Sequence, residues 1–373
     1  MNAQPILTPK GTGTLHAADG ARHARIWGIG GFRPDRIVPN SELVDRLDSS
    51  DEWIRERSGI VTRRWGGPQD TVVSMSEAAA REAVAAAGIE LGQLDAVILA
   101  TVTHPYQTPA AAPIVADRLG LRCVAFDISA ACAGYCHGIS LANDMIRGGS
   151  ARFVLVVGVE KLTDFTNFDD RGTAFIFADG AGAAVVGPSD TPGIGPTIWG
   201  SDGSHWKTIV QSESWLEYRD RTGDVRGTAA EGGTTVAAPA PDAGEAGAAE
   251  VADPRFPWLT MAGQSVFRWA VWSMAPVALQ AIEAAGITPD DLDAFIPHQA
   301  NARIIDAMIK QLKLPAGIPV ARDIVDSANT SAASIPLATE RMLREGEIPH
   351  GGLALQIGFG AGLVYAAQVV VLP

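Results

Sequence analysis

The sequence predicts an α/β fold, and three observations support this prediction. The stretches AVAAAGIELGQLDAVI, from Ala83, and AIEAAGITPDDLDAFI, from Ala281, are identical at nine of sixteen positions. In both, a helical apolar periodicity changes after a glycine into a short aliphatic run, which is typical of a helix followed by a buried strand. Apolar residues form 47% of the chain and aromatic residues only 6%, which suits tightly packed α/β layers. We therefore expect a duplicated α/β unit whose copies lie 198 residues apart.

Further elements fill the space around the two repeats. Residues 151–160 (ARFVLVVGVE) are predicted to form a buried strand, and residues 177–187 (FADGAGAAVVG) a glycine-rich turn leading into another. Residues 352–372 are predicted to be two strands joined at a glycine-rich crossing. The resulting domain prediction is a loose tail at 1–22, an N-terminal half at 23–200, a connecting region at 201–258 and a C-terminal half at 259–373.

The connecting region contains a segment of unusual composition. Residues 221–255 are dominated by Ala, Gly, Pro, Thr and acidic residues and have no apolar period. Such a segment has too little apolar surface to form a core of its own. We expect it to be a mobile insertion between the halves.

Length, charge and the distribution of apolar residues indicate a multi-core protein that binds neither nucleic acid nor a membrane. At 373 residues the chain exceeds the size that one hydrophobic core usually serves. Its net charge of -13 argues against a nucleic-acid partner, because phosphate contacts require clustered Lys and Arg. No apolar run has the length of a signal peptide or of a membrane span. We expect a cytoplasmic protein without a membrane partner, whose thiols stay reduced.

One strand-to-helix corner contains the first candidate site residue. In FDISAACAGYCH, Cys132 follows a predicted strand and precedes a predicted helix. The unpaired N–H groups and dipole at a helix N-terminus favour a thiolate, so Cys132 is a candidate nucleophile. Two alternatives remain open at this point. The cysteines are small buried hydrophobes, or they form a zinc site, for which the ligands would be Cys123, Cys132, Cys136 and His137.

The duplication brings two further polar residues toward Cys132. The offset of 198 residues places Cys132 opposite Thr330, next to Asn329 in SANTSAAS, and ligands of layered α/β folds bind at such corners. His298, in FIPHQANARII, directly follows the strand of the second repeat and so shares that edge of the sheet. A carboxamide at Asn329 suits the stabilisation of a negative oxygen. Taken alone, His298 could be a structural histidine and Asn329 a helix cap.

Five motifs in one order resemble a known family. SAACAG, DGAGA, PHQAN, NTSAAS and GFGAGL together resemble β-ketoacyl-acyl-carrier-protein synthase III, a thiolase-like condensing enzyme, and most closely its actinobacterial branch. The similarity runs from about Ile26 to the C-terminus, interrupted by residues 221–255. The resemblance implies a thiolase-like fold with two βαβαβ-type halves in five α-β-α-β-α layers. It also implies a homodimer that needs neither a metal nor an organic cofactor.

The resemblance further implies a reaction and its residues. Cys132 would take an acyl group from an acyl-CoA primer, and the acyl-enzyme would condense with malonyl-carrier protein to give a 3-oxoacyl-carrier protein and CO2. The acyl oxyanion would be held by the backbone N–H groups of Cys132 and Ala361, and the enolate oxygen by His298 and Asn329. The positions matching the family's CoA site are Trp53, Arg57 and Arg171, and those matching its docking site for the acidic acyl carrier protein are Arg268, Arg303 and Lys310.

Each of these surface positions also has an ordinary structural explanation. Trp53 could be a core aromatic, the CoA arginines could form surface ion pairs, and the docking cations could belong to a solvated helix face. The acyl pocket is matched by Phe359 and by Gln107 and Thr108, whose segment reaches across the dimer in the family. These two residues are smaller than the aromatic side chain of some relatives, so we expect branched or longer primers to be accepted.

One departure from the family pattern affects the site directly. Ala328 precedes Asn329 where the family usually has glycine, so a positive φ there would strain the loop. Three rival functions remain: an acyltransferase of the same fold that forms no carbon–carbon bond, an enzyme that condenses two acyl-CoAs, and an inactive partner subunit. The presence of Cys132 argues against the last of these.

Overall fold

The computed structural model describes residues 15–16, 18–222 and 256–373. Most of the predicted insertion, from residue 223 onward, and most of the predicted tail lie outside the described residues. The two residues of the predicted insertion that are described, 221 and 222, end a helix that begins at Trp215.

The described residues form strands and helices in alternation. The strands are β1 His23–Phe32, β2 Arg36–Pro39, β3 Thr62–Trp65, β4 Ala96–Ala100, β5 Val124–Ile128, β6 Val154–Lys161, β7 Asp179–Ser189, β8 Ile198–Gly200, β9 Ile209–Gln211, β10 Leu259–Met261, β11 Ala294–Pro297, β12 Leu353–Gly360 and β13 Val364–Val371. The helices are α1 Asp51–Ser58, α2 Val72–Ala87, α3 Ala111–Arg118, α4 Gly134–Arg147, α5 Trp215–Thr222, α6 Gly263–Ala284, α7 Ala302–Leu312, α8 Ile324–Ser327 and α9 Ser334–Arg344.

Two sheets and three helical layers form the body of the protein. The first sheet has the strand order β1-β7-β6-β4-β5 and the second the order β11-β12-β13-β8. Helices α2 and α3 cover the outer face of the first sheet, and α6 covers the outer face of the second, with α7 packed against α6. Between the sheets lie α4 and α9, which contact both. The prediction of five α-β-α-β-α layers is therefore confirmed.

The two sheets repeat one topology, which confirms the predicted duplication. Reading the second sheet from β8 gives β8-β13-β12-β11, which matches β1-β7-β6-β4. A short parallel bridge between Phe295 and Val320 takes the place of the β4–β5 pairing. The sixteen-residue repeats occupy equivalent positions, each ending in the buried strand β4 or β11.

The predicted partner of Cys132 in the second half is wrong by two residues. The first corner is a 3₁₀ turn at Ala131–Ala133 and the second a 3₁₀ turn at Ser331–Ala333, so Cys132 is equivalent to Ala332 and not to Thr330. The second half has two more residues between its repeat and its corner, and the offset of 198 therefore becomes 200. Asn329 still lies at this corner.

A pair of equivalent glycines packs each half against the other. A Cβ atom on Gly358 of β12 would lie 2.8 Å from the Cys132 carbonyl oxygen, and one on Gly158 of β6 would lie 2.2 Å from the Ala332 carbonyl oxygen. No side chain fits at such distances. Each corner is thus placed by a strand of the opposite half.

The DGAGA motif forms part of a strand and not the predicted turn. Strand β7 begins at Asp179, and the glycines of the motif lie within it. A Cβ atom on Gly182 would lie 2.7 Å from the Pro336 side chain of α9. These glycines therefore allow the central helix to approach the sheet closely.

Candidate active site

Cys132, His298 and Asn329 meet at one cavity. The cavity has a volume of about 770 Å³, and all three side chains line it. Cys132 comes from the corner of the N-terminal half, whereas His298 and Asn329 follow β11 and α8 of the C-terminal half. The predicted convergence of residues from both halves is therefore present in the geometry.

Cys132 lies at a strained corner in an environment that favours the thiol. The preceding residue, Ala131, has a φ of 45°, and α4 starts two residues after Cys132, at Gly134. Although Cys132 is only partly buried and lines the cavity, burial raises the pKa of its thiol to about 12. Burial and the nearby helix N-terminus therefore act on the thiol in opposite directions.

His298 is a neutral imidazole whose orientation is fixed from behind. It is 2% exposed, and burial lowers its pKa to about 3. Its Nδ1 lies 2.7 Å from Ser334 Oγ, which also accepts the Gln299 N–H at 3.3 Å. Because Ser334 Oγ accepts that N–H, its own proton is available to Nδ1. This arrangement favours the tautomer that keeps the proton on Nε2, as a hydrogen-bond donor.

Asn329 is held so that its amide nitrogen is left for the cavity. Its backbone N–H donates to the Ile176 carbonyl and its carbonyl accepts the Ala178 N–H, both at 3.0 Å. Its side-chain Oδ1 accepts the Ser331 N–H at 2.8 Å. With the amide oxygen engaged, the Nδ2 group is the part of the side chain available to a bound molecule.

The strain anticipated at Ala328 is present. Ala328 has φ 52° and ψ -155°, a combination outside the regions that L-residues normally adopt. Its side chain is 1% exposed and packs in a cluster with Ile54, Ile60 and Ile324. The loop therefore reaches the glycine-like conformation with alanine, at a cost in stability.

The backbone around Cys132 is approached closely by the end of β12. A Cβ atom on Gly360 would lie 2.9 Å from the Cys132 backbone nitrogen and 3.0 Å from its sulfur. The next residue, Ala361, lines the same cavity. Phe359 also lines it, with its ring centre 5.4 Å from that of His298. Glycine at 360 thus lets the backbone near Ala361 come up against the sulfur.

Trp53, Arg57 and Arg171 form a second group on the cavity wall. All three line it, and Trp53 is half-buried at the start of α1. The Arg171 guanidinium lies 4.7 Å and that of Arg57 5.7 Å from the Trp53 ring centre. An aromatic face flanked by two cations offers stacking for a planar base and hydrogen bonds for phosphates.

Only some of the predicted carrier-docking and acyl-pocket residues line the cavity. Arg268 and Arg303 line the cavity, and Lys310 is exposed on the same helix as Arg303 but does not line it. Gln107 and Thr108 are exposed on a loop and do not line the cavity of their own chain. Whether they serve a partner's pocket therefore stays a prediction.

Sequence reasoning missed three polar residues behind the site: Ser331, Ser334 and Glu160. Glu160 could have been noticed, since it is a carboxylate at the end of the aliphatic run FVLVVGVE. The serines had no comparable signal, because serine is common in helices and loops alike. The alternative zinc site is not assembled, since no three His, Cys, Asp or Glu side chains cluster suitably within the described part of the chain.

In the thiolase-like condensing enzymes, one duplicated half supplies a thiol, and the other supplies the groups that face it. The fold and the cavity place this protein in that class of acyltransferases. The sequence family described as 3-oxoacyl-[acyl-carrier-protein] synthase III matches residues 126–203, and the family of its C-terminal region matches residues 282–372. The chain belongs to the 3-oxoacyl-[acyl-carrier-protein] synthase III family, as the motifs indicated.

Individual relatives match along nearly the whole chain. The β-ketoacyl-[acyl-carrier-protein] synthase III 1 of Streptomyces coelicolor is 56% identical over 360 residues, which are 96% of this chain and 99% of that protein. The crystal structure of the priming β-ketosynthase of the R1128 polyketide biosynthetic pathway has 43% identity and a TM-score of 0.85, covering 96% of this chain and 98% of that one. The synthase III of Pseudomonas aeruginosa has 33% identity and a TM-score of 0.79, covering 94% and 99%.

Proposed function

We propose that this protein uses Cys132 to carry an acyl group from an acyl-CoA primer to malonyl-acyl carrier protein, giving a 3-oxoacyl product that starts fatty-acid synthesis. The observation that carries this proposal is the meeting of Cys132, His298 and Asn329 at one cavity. Covalent catalysis divides the condensation into two easier steps. The family membership supports the same reaction.

In the first step, the sulfur attacks the thioester carbonyl and CoA leaves. Trp53 would stack on the adenine while Arg57 and Arg171 bind the phosphates, which places the thioester toward Cys132. The oxyanion that forms would accept hydrogen bonds from the N–H groups of Cys132 and Ala361. Such donors are effective because they are fixed before the charge develops.

In the second step, malonyl-carrier protein loses CO2 and its α-carbon attacks the acyl carbonyl. The thioester oxygen becomes an enolate, which would accept hydrogen bonds from His298 Nε2–H and Asn329 Nδ2. Both donors are neutral, and the lowered pKa of His298 means that the imidazole donates without itself carrying a positive charge. Collapse of the tetrahedral intermediate expels the Cys132 sulfur.

Mass spectrometry of the protein after incubation with a mixture of acyl-CoAs tests the first step. We expect one acyl adduct, located on Cys132 and absent from Cys132→Ala. Release of CO2 from malonyl-carrier protein then distinguishes condensation from simple acyl transfer. An adduct on Cys123 or Cys136, or no CO2 release, would count against the proposal.

Carrier-protein docking is proposed at Arg268 and Arg303, which line the cavity, and at Lys310, which is exposed on the same helix as Arg303. An acidic partner suits a group of cations on a chain whose overall net charge is -13. Arg303→Glu should raise the KM for malonyl-carrier protein about tenfold while leaving acylation by acyl-CoA unchanged. Arg118→Glu, on the outer helix α3, is the matched control and should leave this KM unaltered.

We also propose a homodimer formed along β5. This strand lies at the end of the first sheet, and Val124 on it is 56% exposed. An exposed edge strand is a template for pairing with a second copy. Light scattering tests the dimer.

In that dimer, the loop with Gln107 and Thr108 would close the partner's acyl pocket. Turnover with acetyl-, isobutyryl-, isovaleryl- and long-chain acyl-CoA tests which primers this pocket accepts. An exclusive preference for acetyl-CoA would refute the expected tolerance.

The remaining proposals concern domains and location. We keep the division into a tail at 1–22, halves at 23–200 and 259–373 and a connecting region at 201–258.

None of the helices in the described ranges has the length and apolar character needed to cross a bilayer. All three cysteines are free, which supports a reducing compartment such as the cytoplasm. Fluorescence microscopy of a tagged chain in cells would test this location.

A further inference from the structure

Glu160 is a buried carboxylate close to the cavity that the steps above do not use. It is completely buried near the end of β6. Its Oε2 accepts hydrogen bonds from Thr103 Oγ1 at 2.7 Å, from Thr101 Oγ1 at 3.1 Å and from the Val102 N–H at 3.1 Å. Burial raises its pKa to about 7, and these hydrogen bonds oppose the rise. Glu160 can therefore exchange a proton near neutral pH.

Ser331 links this carboxylate to the reacting groups. Its hydroxyl donates to Glu160 Oε1 at 3.1 Å. Ser331 and Cys132 line the same cavity, and the Ser331 side chain opposes the rise in the pKa of the Cys132 thiol. Its backbone N–H donates to Asn329 Oδ1 at 2.8 Å. Ser331 is 3% exposed and has a φ of 50°, which only a fixed environment maintains. One residue thus binds the carboxylate and the amide and lines the same cavity as the thiol.

The other titratable groups nearby are engaged elsewhere. Lys161 Nζ lies 3.0 Å from the Gly67 carbonyl oxygen and 3.7 Å from Asp164. Asp179, on the adjacent strand β7, accepts hydrogen bonds from Gly66 N–H and from Thr163. No ion pair with Glu160 is formed among the described residues. The charge of Glu160 also raises the pKa of Cys132, so the two groups do not readily become anionic together.

We propose that Glu160 is a positioning residue that holds the Cys132 proton between the two half-reactions, through the Ser331 hydroxyl. This inference rests on the proposed function. As the Cys132 sulfur bonds to the acyl carbon, its proton moves to Ser331 Oγ while the Ser331 proton moves to the Glu160 carboxylate. CoA leaves as a thiolate and takes a proton from water.

The same path runs in reverse during condensation. When the new carbon–carbon bond forms and the tetrahedral intermediate collapses, Cys132 leaves as a thiolate. Ser331 then gives its proton to the sulfur and regains one from Glu160. The carboxylate is restored, and the only proton consumed from water over both steps is the one bound by CoA. Because burial raises the pKa of the Cys132 thiol, a nearby base that accepts its proton would assist the attack.

The test is single-turnover acylation of the full-length enzyme by acyl-CoA, followed by quenching and mass spectrometry over a range of pH. We expect the wild-type rate to rise with pH to a plateau, with a midpoint near the Glu160 pKa of about 7. Glu160→Gln should acylate about 100-fold more slowly at neutral pH and show no plateau, because only hydroxide then removes the proton.

A second variant separates proton transfer from a merely structural role. Thr103→Val removes a donor that stabilises the carboxylate, so the midpoint of acylation should move to higher pH. The matched control is Asp179→Asn, which alters another buried carboxylate that does not contact Ser331; its midpoint should stay at the wild-type value.

Three results would overturn the inference. The first is a Glu160→Gln enzyme whose acylation rate and pH profile equal those of the wild type. The second is a Glu160→Gln enzyme whose acylation is slowed equally at every pH, with an unchanged midpoint. The third is an unchanged midpoint of acylation in Thr103→Val. This variant tests the role of Glu160 even if Glu160→Gln does not fold. Failure of the wild-type enzyme to form any acyl adduct would instead refute the proposed function.

Discussion

Replacing Ala328 by glycine measures the strain in the loop that holds Asn329. The φ of 52° and ψ of -155° at Ala328 belong to a region that glycine enters freely. Holding a residue with a Cβ there costs about 1–3 kcal/mol. Glycine removes that cost, but it also removes a buried methyl group worth about 0.8 kcal/mol. In addition, it makes the unfolded chain more flexible, which costs about 0.4–1 kcal/mol.

A control variant isolates the strain from the other two effects. Ala174 is equally buried, packs in the same cluster as Ala328 and does not have a positive φ. Ala174→Gly should therefore lose about 1.2–1.8 kcal/mol, the sum of the methyl and flexibility costs. Ala328→Gly should be about 1–3 kcal/mol more stable than Ala174→Gly.

Scanning calorimetry of the two variants and the wild type provides the measurement. For a chain of this length, the melting temperature changes by about 1–2 °C per kcal/mol. Ala328→Gly should thus melt about 1–6 °C above Ala174→Gly, and close to the wild type. If both variants lose the same stability, the loop is not strained and the reasoning from its dihedral angles fails.

Three further predictions concern the site. Burial lowers the pKa of His298, so this side chain binds a proton near pH 6.5 in the unfolded chain but only near pH 3 in the folded protein. The free energy of unfolding of the wild type should therefore fall by up to about 1.4 kcal/mol per pH unit as pH drops below 6.5 toward 3. Urea unfolding of His298→Asn should show a shallower fall, and a fall equal to that of the wild type would refute the lowered pKa of His298. Ser334→Ala should slow condensation about tenfold and spare acylation in quenched-flow assays, whereas slowing of both would contradict its role in orienting the imidazole. Arg171→Ala should raise the KM for acyl-CoA about tenfold at unchanged kcat; steady-state kinetics showing an unchanged KM would remove Arg171 from the CoA site.

The sequence predicted those features that depend on local pattern. The repeats from Ala83 and Ala281 share a helix-to-strand change of period, which is determined by which side chains face the core. That pattern placed Cys132, His298 and Asn329 at one edge, and all three line the cavity. The family motifs supplied the reaction, which the periodicity alone does not contain.

The errors arose where tertiary packing decides the outcome. The DGAGA glycines look like a turn, but the close approach of α9 requires them in a strand. The two-residue shift of the second corner lies in a stretch where the repeats no longer match. The helix position of Cys132 likewise does not reveal the burial that raises the pKa of its thiol, because burial depends on residues distant in the sequence.

The crossed contacts of Gly158 and Gly358 bear on how this enzyme could be divided. Each glycine supports the corner of the opposite half, so neither half by itself contains the surface that shapes its own corner. Two separately expressed fragments should remain inactive until mixed, and a bulky residue at Gly358 should damage a nucleophile more than two hundred positions away in the chain. Each half of the duplicated fold therefore depends on the other for the shape of its own corner.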